Sequence, residues 1–236
     1  MAEQLYLNDS YLRTCKSKVI FVKDGKFIEL DRTVFYPRGG GQPADTGKLM
    51  RGSEEFPVVS VAKSEGKILH EASREGLQAG DEVECQIDWE RRYRLMKMHT
   101  AGHILSAIMF KQQGILITGN QIGPDKTRFD FSMENFDKAA FQTLVDGANA
   151  AISRNLEVLV SCLPREEAMK LQGAVKLAVA LPPEVKELRM VKIGDVDFQA
   201  DGGTHVKNTS EIGKLVFIGA ENKGKANRRI YYSLDP

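Results

Sequence analysis

Three of the four histidines in this sequence fall into two short segments: His99 and His103 in His99-Thr-Ala-Gly-His103, and His205 at the end of Asp201-Gly-Gly-Thr-His205. On a helix, a four-residue step stacks His99 and His103 on one face, one turn apart, where both imidazoles can reach a single ion. Such a pair is half of a zinc site. Asp201 and His205 share the step but not the geometry, because Gly202-Gly203 disfavours helix and permits a tight turn that brings carboxylate and imidazole together. Zinc accepts imidazole nitrogen and carboxylate oxygen at about 2.0–2.2 Å, so three histidines and one aspartate would fill a tetrahedron or leave a position for water. The helical pair alone is weak evidence and more often means two ordinary core or surface histidines; the second segment turns the reading toward a metal. His70 has no partner motif and is read as non-functional.

The elements that must position these residues follow from periodicity. Glu90 to Gln113 contains no proline and one interior glycine, with apolar residues at Leu95, Met98, Leu105 and Met109, and predicts a long amphipathic helix carrying both histidines. A second helix is expected from near Asn135 to about Asn155, through Phe136, Ala140, Leu144 and Ala148. Thr127 to Ser132 alternates as a strand, Leu156 to Leu163 is β-branched, a short helix follows Pro164, and Leu215 to Leu234 forms a hairpin across Asn222-Lys223-Gly224. Upstream, Asp24-Gly25 between two apolar runs is a hairpin signal, and Gly66 and Ala79-Gly80 separate further strands at Pro57 to Ala62, Lys67 to Glu71 and Glu82 to Trp89. The expected fold is α+β: a small β-barrel or sandwich over residues 1–88, then a mixed α/β domain over residues 89–236.

With 236 residues and 42% hydrophobic side chains, the chain can fill a core, which excludes global disorder and collagen. Three cysteines, far apart and odd in number, imply no disulfide framework and point to a reducing compartment. No apolar run approaches the roughly 18 residues needed to span a bilayer, and the N-terminus lacks a secretory pattern, so a cytoplasmic protein without a membrane partner is expected. A net charge of +1 supplies no general attraction to nucleic acid. Local basic clusters could: Arg91, Arg92, Arg94 and Lys97 at the start of the histidine helix, and Lys223, Lys225, Arg228 and Arg229 near the C-terminus. Otherwise such runs are solvated faces.

His99-Thr-Ala-Gly-His103, Arg128-Phe-Asp-Phe-Ser132 and Asp201-Gly-Gly-Thr-His205-Val, continuing to Glu211-Ile-Gly213, resemble the editing domain of alanyl-tRNA synthetase. Phe35-Tyr-Pro-Arg-Gly-Gly-Gly-Gln-Pro-Ala-Asp-Thr-Gly47 resembles the glycine-rich segment preceding that domain. The order and spacing, without an ATP-using aminoacylation portion, resemble the free-standing alanyl-tRNA editing proteins of the AlaX group in their medium-length form. The resemblance covers most of the chain, from about Phe35 to Gly213. It implies a β-barrel followed by the editing domain shared with threonyl-tRNA synthetase, zinc (Zn2+) as cofactor, and tRNA(Ala) carrying a wrong amino acid as partner. The implied reaction is hydrolysis of the ester joining that amino acid to the tRNA, with serine expected and glycine second. The chain departs from the family at one ligand position: Asp201 stands where the usual motif is Cys-Gly-Gly-Thr-His. Asp201 either ligates as a harder donor or stays off the metal. A metal-compromised tRNA-binding module of the same fold is the alternative.

No Ser-His-Asp arrangement is evident, so a covalent route is not favoured. Alanine is smaller than serine, so a site that admits serine must require its hydroxyl rather than exclude alanine by size. Thr118 and Asn120 are the candidates by their place in the family segment, a plain turn being the other reading. The loop from Phe35 to Gly47 would wall the pocket or touch the acceptor end through Gly40, Gly41 and Gln42, a triplet similar to the Gly-Gly-Gln of peptide release factors. Gln42 supplies the side chain able to hydrogen-bond there.

Overall fold

The computed structural model describes residues 2–133, 137–171, 186–224 and 226–235. The chain divides into two compact units, Met1–Arg94 and Leu95–Pro236, the division falling inside a helix.

In the first unit, β1 (Glu3–Gln4) precedes β2 (Thr14–Lys23) and β3 (Phe27–Leu30), and β1 runs parallel to β4 (Arg32–Thr33). Asp24 and Gly25, between β2 and β3, both have positive φ (51° and 67°), as a type I′ hairpin turn requires. Strands β5 (Gly47–Arg51), β6 (Glu54–Ser64), β7 (Lys67–Ala72) and β8 (Glu82–Ile87) complete a closed barrel in the order β2-β3-β7-β6-β5-β8. Alternation sends Val19, Ile28, Leu49, Phe56, Val61 and Val83 into its core. On β6 the buried positions step from Phe56 and Val58 to Val61 because the register shifts by a bulge between Val58 and Ser60. Closure leaves the barrel, not the sandwich, of the two expected forms. Cys15 and Cys85, distant in sequence, are cross-strand partners here, and both are free thiols.

Helix α1 (Trp89–Gln113) leads into the second unit, followed by β9 (Ile117–Gln121), β10 (Thr127–Phe131), α2 (Lys138–Ile152), β11 (Val158–Pro164), α3 (Arg165–Ala168), β12 (Glu187–Ile193), β13 (Asp197–Ala200), β14 (Lys214–Asn222) and β15 (Arg228–Asp235). They form a four-stranded antiparallel sheet, β14-β15-β10-β9, and a three-stranded one, β11-β12-β13. Asp137 caps α2 by accepting from the Ala140 amide. The start expected near Asn135, with Phe136, lies outside the described residues. The buried face of α2 runs through Phe141, Leu144, Val145 and Ala148, and Ala140, expected on it, is exposed. A strict four-residue step drifts around a helix of about 3.6 residues per turn, so the true stripe mixes steps of three and four. Among the described residues, no helix is long and apolar enough to cross a membrane.

Candidate metal centre

All of the site lies in the second unit. Residues Leu95, Met98, Leu105 and Met109 of α1 are fully buried, and the four-residue step sets His99 beside His103 with ring centroids 5.0 Å apart. Gly102 allows the helix to lie close to the sheet: a Cβ there would stand 2.6 Å from Phe129 Cζ and 2.7 Å from Tyr232 Oη. The Tyr232 hydroxyl fixes the approach by donating to the Met98 carbonyl at 2.7 Å.

The segment leaving β13 brings the remaining residues. Asp201 is anchored at its backbone, its amide donating to the Arg189 carbonyl at 3.0 Å, and its side chain accepts from the Gly203 amide. His205 then meets both helical histidines, with centroids 4.5 Å from His99 and 4.7 Å from His103. Gly203 must lack a side chain, since a Cβ would sit 2.2 Å from His99 Cε1. Asp201 reaches all three rings: Oδ2 lies 3.0 Å from His205 Nε2, and Oδ1 lies 3.6 Å from His99 Nε2 and 3.9 Å from His103 Nε2. One ligand atom from each of His99, His103, Asp201 and His205 lies within 4.8 Å of every other. The imidazoles are at most 5% exposed and Asp201 is 16% exposed, so the cluster is open on the aspartate side.

Burial dominates the protonation of two rings. It holds the His99 pKa well below the usual value and lowers that of His205 to about 4, against the pull of Asp201 in each case. Burial also opposes charge on His103, but its hydrogen bond with Asp197 and the nearby Asp201 carboxylate outweigh it and raise the pKa to about 9. Burial disfavours the Asp201 carboxylate, yet the surrounding histidines hold its pKa well below the ordinary range. Three borderline nitrogen donors and one carboxylate, gathered within ligand reach of one another, fit a divalent transition metal such as zinc.

The other expected site residues are distributed differently. Asn120 is the cross-strand partner of Phe129, so it shares the sheet face that meets α1. Thr118 is exposed, and its hydroxyl donates to Asn227 Oδ1 at 3.1 Å. Gly40, Gly41 and Gln42 belong to the first unit, where Gly39 and Gln42 exchange backbone hydrogen bonds around a tight turn. Gly40 and Gly41 have positive φ (56° and 84°), the conformation a two-residue turn demands, so residues 39–42 form a tight closed turn. The Gln42 side chain is fully buried.

Arg92 corrects an expectation. Its side chain is wholly buried, pairs with Asp45 through Nε and Nη2, and donates to the carbonyls of Ser10 and Val34 at 3.0 and 2.6 Å. A guanidinium with no solvent exposure cannot neutralise a phosphate. Arg91 is half-buried and donates to the Ala44 carbonyl at 2.6 Å. Lys223 is exposed and lies 2.8 Å from Glu221, and Lys225 falls outside the described residues. Asp130 pairs with Arg229, at 2.7 and 2.9 Å.

Three residues around the cluster were not singled out by sequence. Asp197 Oδ2 lies 2.9 Å from His103 Nδ1, Thr100 Oγ1 lies 3.1 Å from His205 Nδ1, and Gln199 Nε2 lies 2.8 Å from His103 Nδ1. A signal existed for two of them: Asp197, Gln199 and Asp201 are two residues apart along an extended segment and so share a face. Thr100 carried none.

Comparison with known proteins agrees with this geometry. Residues 188–231 match the family model described as threonyl and alanyl tRNA synthetase second additional domain, and residues 12–91 match that described as tRNA synthetases class II (A). The chain is 48% identical to the alanyl-tRNA editing protein AlaX-M of Methanosarcina barkeri, covering 99% of both chains. It is 44% identical to the protein of the same name from Saccharolobus solfataricus, covering 100% of both. It is also 39% identical to the alanine--tRNA ligase of Pyrobaculum calidifontis, over 99% of this chain but 27% of the ligase. Identity of this order, maintained from end to end, shows that the chain belongs to the AlaX-M family of alanyl-tRNA editing proteins.

Proposed function

We propose that this protein hydrolyses the ester of mischarged tRNA(Ala), releasing serine, and glycine as a second substrate, from the tRNA in trans. The observation that carries this reading is the convergence of His99, His103, Asp201 and His205, from two distant stretches, in a chain of this family. These four residues would hold zinc. A bound zinc ion would supply Lewis acidity, either to water or to a polar group of the substrate.

The residues of the chain do the rest. The imidazoles form the closed side of the site, and the aminoacylated end enters on the Asp201 side, the more exposed one. Water adds its oxygen to the ester carbonyl carbon, the bond to the ribose oxygen breaks, and the leaving oxygen takes up a proton. Selectivity for serine rests on a polar group that alanine leaves unpaired; Asn120, on the face turned to α1, is better placed for it than the exposed Thr118. That requirement does not extend to glycine, which also lacks a hydroxyl. Arg91 and Lys223 are the described candidates for phosphate contact, and a cytoplasmic location follows from the substrate.

The test is release of serine from Ser-tRNA(Ala), compared with alanine from Ala-tRNA(Ala), by wild type and His103→Ala with zinc present. Rapid serine release by wild type alone is expected. Equal rates for the two proteins would remove the metal from the mechanism. Salt-sensitive tRNA binding without turnover in zinc-supplemented wild type would instead identify a binding module.

A further inference from the structure

We propose that Thr100 and Asp197 are positioning residues that accept the Nδ1 protons of His205 and His103, so that Nε2 of each ring is the nitrogen offered to a metal beside Asp201. The inference rests on the reading that these imidazoles hold a metal, and adds how they are prepared for it.

A neutral imidazole carries one N–H and one lone pair, and the partner of one nitrogen decides which is which. For His103, Nδ1 faces Asp197 Oδ2 at 2.9 Å. A carboxylate accepts and does not donate, so Nδ1 carries the proton and Nε2 is left to coordinate. The Asp197 side chain is itself fully buried, which keeps water from competing for that proton. The Gln199 amide nitrogen lies 2.8 Å from Nδ1 and 3.1 Å from Nε2, and with Nδ1 protonated only Nε2 offers it a lone pair.

For His205 the partner is a hydroxyl, which can donate or accept. Here its direction is fixed: Thr100 Oγ1 donates its only proton to the Met96 carbonyl at 2.9 Å and accepts from the Val206 amide at 3.3 Å. Towards His205 Nδ1, 3.1 Å away, it can only accept. Nδ1 is therefore protonated, and Nε2, 3.0 Å from Asp201 Oδ2, is the nitrogen left for a metal to take. One ring is set by a charged acceptor and the other by a neutral hydroxyl whose own proton the helix backbone holds. Outer partners of this kind orient a ligand and raise its basicity, and losing one typically lowers metal affinity about 10- to 100-fold.

The experiment compares the full-length wild type with Asp197→Ala, Asp197→Asn, Thr100→Val and Thr100→Ser. Zinc affinity is measured by competition with a chromophoric chelator, the Co(II)-loaded absorption spectrum is recorded, and thermal unfolding confirms the fold. Asp197→Ala and Thr100→Val should each weaken zinc by about 10- to 100-fold and alter the Co(II) spectrum. Thr100→Ser, which keeps the hydroxyl, should restore affinity, and Asp197→Asn, which keeps an acceptor, should lose less than Asp197→Ala. If Asp197→Ala does not fold, a several-fold loss in Asp197→Asn is the expected result. Histidine nitrogen NMR of the zinc-loaded protein near pH 7 should show His205 protonated at Nδ1 and ligating through Nε2 in wild type, with faster solvent exchange of that Nδ1 proton in Thr100→Val. Folded variants that hold zinc as wild type does, or a His205 that ligates through Nδ1, would overturn the proposal. A wild type that binds no zinc would instead overturn the metal reading on which the proposal rests.

Discussion

The two units bury polar side chains to opposite ends. In the barrel unit they close on each other. His70 lies with Nδ1 3.0 Å from the Ile28 carbonyl and Nε2 2.8 Å from the Thr33 hydroxyl, so both ring nitrogens are satisfied by neutral partners. Arg92 and Asp45 form a closed ion pair, wrapped by backbone carbonyls and the Tyr36 amide. In the second unit, three imidazoles and a carboxylate face one another around a common point. Burial is similar in both places; what differs is the partner. A buried histidine held between a backbone carbonyl and a hydroxyl is scaffold, whereas three buried histidines whose Nε2 atoms share one carboxylate form a ligand set.

Ligand removal should separate the two regions most sharply. His103→Ala is expected to abolish zinc retention and slow serine release by more than the ~100-fold typical of losing an outer partner. His70→Ala should leave both within about threefold of wild type while lowering the unfolding midpoint, since a large-to-small change in a packed core costs about 2–5 kcal/mol. Loss of zinc in His70→Ala would erase the distinction.

The barrel ion pair comes next. Arg92→Ala leaves the Asp45 carboxylate buried without its partner, and breaking such a pair costs about 3–5 kcal/mol. Denaturant unfolding should register that loss. The salt dependence of tRNA binding, measured on folded protein, should not change, and a reduced slope would return Arg92 to the RNA contacts.

A third test uses pH. Burial lowers the His70 pKa from 6.5 to about 4, with the Ile28 hydrogen bond working the other way. Below pH 6.5 the unfolded chain binds a proton that the folded chain refuses, so stability falls as pH drops from about 6.5 toward 4, by about 3 kcal/mol at most from this group. Above pH 6.5 the contribution is fully present. His70→Gln should flatten that part of the profile, and an unchanged profile would show that His70 is not its source.

The smallest effect concerns Lys223. If it neutralises one phosphate, Lys223→Ala should lower the slope of log affinity against log salt by about one and leave stability within about 0.5 kcal/mol. An unchanged slope would remove it from the tRNA surface.

Much of this protein was legible because the signals were local. The Asp24-Gly25 turn, the proline-free run of α1 and the four-residue histidine step each act within a few residues, where backbone geometry decides. The buried face of α2 was legible only to within one position, because a four-residue repeat does not track a helix that turns every 3.6 residues. Arg92 could not be told from its neighbours by charge, since whether a guanidinium meets water or Asp45 depends on a loop 47 positions away.

Residue types and local geometry settle which donors exist and, through helical periodicity and the glycine pair, that His99 stacks with His103 and Asp201 turns back on His205. Tertiary structure alone decided that these two segments meet, that His99 packs where any side chain on Gly203 would clash, and that Asp197 and Thr100 stand behind the rings. The reason is physical: hydrogen bonds and close contacts between segments about a hundred residues apart exist only once both chain paths are fixed, and no local propensity encodes them.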